Sequence, residues 1–140
     1  MAHPNYTLLN HTADLGIRIY GTDLRNLFEN AGMALMHLML RGVSPLKPSS
    51  YKLALAGTDS ADLLVRWLGE LLFLLEGENL VVTSIQILDM TPLRVEATLD
   101  TVPFDPDFHE VLSEIKAVTY HQVEVAYKHG RWEANVIFDI

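Results

Sequence analysis

The chain has 140 residues, is 49% hydrophobic and 20% charged, and has a formal net charge of −8. This length and composition predict one globular domain over residues 1–140, with a core that needs no metal or disulfide to hold it. The sequence has no cysteine, which excludes disulfides, thiolate metal sites and cysteine nucleophiles. The negative charge argues against direct nucleic-acid binding, because it would repel phosphates.

The sequence indicates neither a targeting signal nor a membrane segment. Residues 1–5 lack the basic region and apolar run of a signal peptide. The two most apolar segments, 31–40 and 63–75, are too short or too charged to span a bilayer. We therefore expect a cytoplasmic protein that does not act at a membrane.

Acidic residues are concentrated in one part of the second half of the chain. Residues 89–114 include seven acids and a single base, Arg94. Such a segment suits a cation or a basic protein partner, and it is equally the pattern of a solvated acidic face.

Hydrophobic periodicity predicts two strands, a helix, a strand, a second helix and four further strands. The expected ranges are 6–9, 15–20, 23–41 (helix), 51–55, 59–76 (helix), 80–90, 93–99, 118–128 and 131–140. Thr22 and Thr58 are the expected N-caps, and Asp62 and Arg66 are spaced to pair along the second helix. No internal repeat is evident. The element order predicts an α+β fold in which two helices pack on one face of a mixed, mainly antiparallel β-sheet, giving two layers.

The final hairpin determines what lies beside the C-terminal strand. A two-residue turn at 129–130 matches apolar residues along one face of the hairpin. The pairs expected from it are Lys128–Arg131, Tyr127–Trp132, Val125–Ala134, Val123–Val136, His121–Phe138 and Tyr120–Asp139. This register places His121 on the core-facing side unless a bulge intervenes. It also places the end of the last strand beside the segment 114–121.

The last strand ends in two adjacent carboxylates, the side chain of Asp139 and the chain end at Ile140. Two partly desolvated carboxylates resist ionising together, and a cation relieves this repulsion. An all-oxygen set selects a hard ion such as Ca²⁺, Mg²⁺ or Mn²⁺, although a neighbouring lysine such as Lys116 could also serve. A solvent-exposed terminal acid would have the same pattern. Asp14 likewise has two interpretations, as a metal ligand or as a residue that stabilises a turn or cap.

No complete catalytic set is present in the sequence. His11 and His121 are candidate ligands or acid–base groups, but single histidines are also common as hydrogen-bonding structural residues. The chain lacks a Gly-rich phosphate loop, a nucleophile elbow, a His-Glu-x-x-His motif and an EF-hand loop. Composition and spacing therefore predict an acidic α+β domain, with a hard-metal site as one interpretation of its C-terminal end.

Three motifs together resemble the archease family. They are His11-Thr12-Ala13-Asp14-Leu15-Gly16, Glu114-Ile115-Lys116-Ala117-Val118-Thr119-Tyr120-His121 and Val136-Ile137-Phe138-Asp139-Ile140. Their order and the helix-forming segments between them match as well, so the resemblance covers essentially the whole chain. It implies an archease-like fold and a small, non-catalytic activator of RtcB-type RNA ligases, which act in tRNA splicing and RNA repair. Proteins of this kind promote guanylylation of the ligase histidine and multiple turnover.

The resemblance also implies a site. It assigns a divalent cation, calcium first and magnesium or manganese as alternatives, to Asp14, Asp139 and Ile140. The residues that it implies as supporting or partner-facing are His11, Glu114, Lys116, Tyr120 and His121. The implied partner is the RNA ligase, and no direct contact with nucleic acid is expected.

Two other classes of function fit parts of the sequence. One is a general chaperone-like or scaffold protein with a structural metal site. The other is a metal-dependent hydrolase that uses Asp14 and Asp139, which the lack of a nucleophile or general base with an orienting partner disfavours.

Overall fold

The structure is a computed structural model that describes residues 5–9 and 14–140. Within these ranges there are two helices and nine strands. In chain order they are β1 (Tyr6–Leu9), β2 (Leu15–Gly21), α1 (Leu24–Met39), β3 (Leu40–Arg41), β4 (Ser49–Ala56), α2 (Ser60–Glu78), β5 (Leu80–Thr91), β6 (Arg94–Pro103), β7 (Glu110–Val111), β8 (Ala117–Lys128) and β9 (Arg131–Asp139). Neither helix in this part of the chain is long and apolar enough to cross a membrane.

The strands form two antiparallel sheets and one short ribbon. The larger sheet has the order β1-β2-β9-β8, and the smaller has the order β4-β6-β5. The ribbon pairs β3 with β7, with Leu40 opposite Val111 and Arg41 opposite Glu110. The predicted α+β class, with two helices and mainly antiparallel strands, is confirmed, and the structure adds that the strands are divided in this way.

Both helices contact both sheets. α1 packs on β2 and β9 of the larger sheet and on β5 of the smaller, and α2 packs on β8, β4 and β5. Trp67 of α2 is fully buried, and its indole N–H donates to the Phe28 carbonyl of α1 at 2.9 Å. Gly32 lies at the same contact, since a Cβ there would come within 2.8 Å of Leu71 Cδ1 and 3.5 Å of Trp67 Nε1. The main core is therefore built around the two helices.

Each helix is capped by an aspartate, so the expectation that Thr22 and Thr58 are the N-caps is wrong. Asp23 and Asp59 each accept from the N–H three residues further on, at 2.7 Å. The two threonines stand one residue earlier, and their N–H groups donate to the side chains of residues 26 and 62 at 2.9 and 2.8 Å. Both residue types are good caps, so the sequence could not separate them.

The two helix starts share one local turn. Gly-Thr-Asp precedes each helix, at 21–23 and 57–59. A Cβ on Gly21 would lie 2.5 Å from the backbone nitrogen six residues later, and one on Gly57 would lie 2.8 Å from the equivalent nitrogen. The glycines thus permit the same close turn twice. The repeated string is only three residues long, which is why it does not stand out in the sequence.

The final hairpin has the expected register near its turn and a different one near the chain end. The pairs Lys128–Arg131, Tyr127–Trp132 and Val125–Ala134 are confirmed. Beyond them, the four residues 120–123 of β8 stand opposite the single residue Val136, and Gln122 is left-handed with φ 55°. This bulge makes the expected pairs Val123–Val136, His121–Phe138 and Tyr120–Asp139 wrong. Asp139 pairs with Ala117 instead.

Candidate functional site

The C-terminal strand ends in the interior of the larger sheet. β9 lies between β2 and β8, with Leu15 opposite Phe138 and Ala117 opposite Asp139. Continuing the β2–β9 register by one residue puts Asp14 opposite Asp139. The Lys116 N–H donates to the Asp139 carbonyl at 2.7 Å, which extends the pairing on the other side. Sequence positions 14, 116 and 139 therefore meet at one end of the sheet.

The groups at this end remain accessible. Asp139 is exposed, Ile140 is 51% exposed and Asp14 is half-buried. Within residues 5–9 and 14–140, the Asp14 and Asp139 carboxylates enter no ion pair with a basic side chain. Two carboxylates on adjacent strands without a cationic partner repel each other, so a bound cation would stabilise this arrangement.

The donor set at this end fits a hard cation. Carboxylates of Asp14 and Asp139, together with the main-chain oxygens of Ile140, supply only oxygen ligands, as Ca²⁺, Mg²⁺ and Mn²⁺ prefer. Among the described residues there is no group of three or more His, Asp or Glu side chains that could hold a metal. A cation here would accordingly need Ile140 in addition to the two aspartates. His11 lies outside the described residues.

The segment 114–116 is anchored beside this end by its central residue. Ile115 is 1% exposed and packs in the core, whereas Glu114 and Lys116 are exposed. Glu114 also lines a small cleft of about 210 Å³ near the end of α2. Both charged side chains are therefore exposed, and the Lys116 backbone is hydrogen-bonded to Asp139 across the sheet.

The expected register placed Tyr120 opposite Asp139, but in the structure Tyr120 does not face it. The bulge turns it towards α2, where its hydroxyl donates to Asp62 Oδ1 at 2.6 Å. Asp62 Oδ2 accepts from the Thr58 N–H at 2.8 Å and from Arg66 Nε at 2.9 Å. The hydrogen bond from Tyr120, and then those from Thr58 and Arg66, hold the pKa of Asp62 far below its usual range. The same bond raises the pKa of Tyr120 above its ordinary value, with a smaller contribution from burial.

The Tyr120–Asp62 bond is the part of the site that sequence reasoning missed. The expected pairing of Asp62 with Arg66 is present, but the third partner is 58 residues away in sequence. The bond fixes the bulge against α2, and the bulge determines which residue of β8 faces Asp139. Asp62 is thus a positioning residue for the end of the sheet.

His121 lies in the bulge and is exposed. Its N–H donates to Thr119 Oγ1 at 3.3 Å. His121 was expected to face the core unless a bulge intervened, and the bulge at 120–123 accounts for its exposed position.

A second cleft, of about 770 Å³, opens between α1, the segment 40–48 and the start of β5. Its lining is mainly apolar, and a hydrogen bond of 2.9 Å joins the Tyr6 hydroxyl to His37 Nδ1 at its edge. None of the described site residues predicted from the sequence lines this cleft.

The fold and this site define a small α+β protein whose C-terminal strand closes an antiparallel sheet and ends in an oxygen-rich corner. The model of the Archease protein family (MTH1598/TM1083) matches residues 6–140. The chain belongs to the archease family.

Relatives and solved structures agree with this assignment. The chain is 32% identical to "Protein archease" of Methanosarcina mazei over 139 residues, covering 96% of this chain and 95% of the relative. It is 35% identical to "Protein archease" of Pyrococcus furiosus over 136 residues, covering 93% and 94%. The solution structure of protein 1598 of Methanobacterium thermoautotrophicum is similar, with a TM-score of 0.76, 28% identity and coverage of 99% and 100%. The crystal structure of "an archease, possible chaperone" from Thermotoga maritima has a TM-score of 0.61 at 19% identity, over 100% and 98%, and shares the fold.

Proposed function

We propose that this protein is a non-catalytic activator of an RtcB-type RNA ligase in the cytoplasm, acting in tRNA splicing and RNA repair. The observation that supports it most directly is the pairing of Leu15 with Phe138, whose continuation would bring Asp14 and Asp139 together, in a chain of the archease family. In this proposal the protein promotes ligase guanylylation and multiple turnover, and it performs no chemical step itself.

Asp14, Asp139 and Ile140 would hold one divalent cation, with calcium as the first candidate and magnesium or manganese as alternatives. The cation would supply positive charge that can bind phosphate oxygens. The protein's own residues have two tasks. The pairing of Asp139 with Ala117 would position one aspartate, and the buried Ile115 would hold Glu114 and Lys116 near it. The exposed C-terminal end would reach the nucleotide pocket of the ligase.

The test is ligase guanylylation measured with Asp139→Ala and with one residue added after Ile140. Both variants should lose most of the stimulation, because each removes or displaces an oxygen ligand. Calorimetry with CaCl₂ should show at least about tenfold weaker binding for Asp139→Ala, since a lost charged ligand costs more than about 1.4 kcal/mol. Asp89→Ala, an exposed acid on β5, is the matched control. Full stimulation by both chain-end variants would remove this end from the mechanism.

A second candidate function is that of a chaperone-like protein, which the description "possible chaperone" of the Thermotoga maritima protein favours. A chaperone should suppress aggregation of unrelated proteins and should tolerate Asp14→Ala. Light scattering of two unrelated heated clients, with wild type and Asp14→Ala, separates this function from ligase activation.

A further inference from the structure

The two segments of the β3–β7 ribbon stay in contact beyond its two paired positions. Gly42 has φ +117°, and a Cβ there would lie 1.9 Å from the Phe108 carbonyl oxygen. His109 is buried, while Val43 and Phe108 are exposed. This end of the ribbon therefore presents Val43 and Phe108 to solvent.

Three large apolar side chains are exposed at the two ends of the ribbon, on either side of the Arg41–Glu110 ion pair. Val43 is 85% exposed, and Phe108 and Leu112 are each 45% exposed. The Leu112 N–H donates to the Met39 carbonyl at 2.8 Å, which places Leu112 at the other end of the same ribbon. We name Val43, Phe108 and Leu112 the ribbon face. Neighbouring large apolar side chains in solvent are typical of a protein interaction surface.

The ribbon face is held in position before any partner binds. Arg41 Nη2 donates to both carboxylate oxygens of Glu110, at 2.7 and 2.9 Å. The Asp105 carbonyl accepts from the N–H groups of Phe108 and His109 at 3.0 and 2.7 Å. His109 Nδ1 in turn accepts from the Asp105 N–H at 3.0 Å. A surface fixed in this way loses little conformational entropy on binding.

The charges around the ribbon face indicate the chemistry of its partner. Residues 95–115 contain six acids and no Lys or Arg. Asp105, Asp107 and Glu114 of this group flank the ribbon in sequence, while Glu110 is neutralised by Arg41. Exposed apolar side chains that are flanked in sequence by acids are complementary to a segment that presents apolar side chains among basic ones.

The ribbon face and the end of β9 are close along the chain. Lys116 lies five positions after Val111, a length that spans at most about 18 Å. The Lys116 N–H is bonded to the Asp139 carbonyl. A protein that contacts the end of β9 would therefore be within reach of the ribbon face.

We propose that the ribbon face docks a basic, apolar-studded segment of the same protein that receives the end of β9. This inference rests on the proposed function, in which that protein is the RNA ligase. The ribbon face supplies affinity, and the Asp14–Asp139 end supplies the activating contact. Binding and activation are thus separate properties of two neighbouring surfaces.

The experiment measures the affinity of the full-length protein for the purified ligase by calorimetry, alongside ligase guanylylation. Phe108→Ser combined with Leu112→Ser should weaken binding at least about tenfold, as expected when two buried anchors are lost. Leu88→Ser combined with Leu93→Ser is the matched control, because both leucines are 50% exposed, on β5 and in the β5–β6 turn. Asp107→Lys, which leaves the apolar residues intact, should also weaken binding, and more strongly at low salt than at high salt.

The possible results are distinct. The proposal is supported if Asp139→Ala binds the ligase but fails to stimulate it. The Phe108/Leu112 variant should then bind weakly and still stimulate the ligase at saturating concentration. Wild-type affinity in both the Phe108/Leu112 and Asp107 variants overturns it and leaves the proposed function standing. A wild type that does not bind the ligase overturns both. A wild-type dimer in sedimentation that the Phe108/Leu112 variant abolishes makes the ribbon face a self-interface and also overturns the proposal.

Discussion

Asp62 joins three parts of the molecule through one carboxylate. It accepts from Thr58 ahead of α2, from Arg66 within α2 and from Tyr120 in the β8 bulge. Its counterpart in the other helix start is Asn26, which accepts from Thr22 in the same way. Asn26 is neutral, so the charged partner distinguishes the second helix start from the first. The folded structure therefore stabilises the ionised form of Asp62.

Replacing Asp62 by Asn should destabilise the protein in a pH-dependent manner. The folded pKa of Asp62 is lowered, so its stabilisation is complete above the unfolded pKa of about 4 and is lost as pH falls below it. Asp62→Asn should have a lower urea midpoint than wild type at pH 7, and the gap should narrow below about pH 4. Asp89→Asn serves as the control. A gap that is constant with pH would show that charge is not involved.

At the scale of elements, the β8 bulge is the feature that the sequence did not predict. Amphipathic periodicity was enough to predict both helices and the main strands, because each buries a continuous apolar stripe. The bulge residues 120–123 have no distinctive composition, so nothing in the sequence marked the three-residue shift. The position of Asp139 beside residues 114–121 was nevertheless predicted, whereas the partner of Tyr120 was not. That partner is set by tertiary packing on α2.

Tyr120→Phe should loosen the bulge without unfolding the protein. The variant removes the O–H donor to Asp62 and leaves the ring in place. Amides of 118–124 should then exchange with deuterium faster, while those of α1 should keep their rates. Because the pKa of Tyr120 is raised, wild type should lose the same protection as pH rises above about 10. Equal exchange of 118–124 in both proteins at pH 7 would mean that the bulge is held by other contacts.

At the scale of the whole molecule, the two helices connect the sheets. Each helix contacts both sheets, and the Trp67–Phe28 bond joins the helices to each other. α2 is enclosed, with Trp67 and Leu71 among its buried residues. The sequence could not indicate two sheets, because strand pairing between distant segments leaves no local pattern.

Trp67→Ala should therefore destabilise the whole fold. Loss of a fully buried indole and its hydrogen bond is expected to cost about 3–5 kcal/mol. Urea unfolding followed by circular dichroism should show one transition at a lower midpoint. Phe73→Ala, at an exposed position on the same helix, should have little effect. A comparable loss in both variants would argue against a special role for Trp67.

The interior position of β9 has a consequence for biosynthesis. β9 is translated after the other three strands of its sheet, yet both β2 and β8 pair with it. Ribosomes add about 5–20 residues per second, so the edge of β2 that pairs with β9 stays unpaired for several seconds. The corner formed by Asp14 and Asp139 comes into existence only when that last strand inserts. A nascent chain can therefore form the β3–β7 ribbon before Asp14 and Asp139 are brought together. Both features are present only after β9 has been translated and has paired.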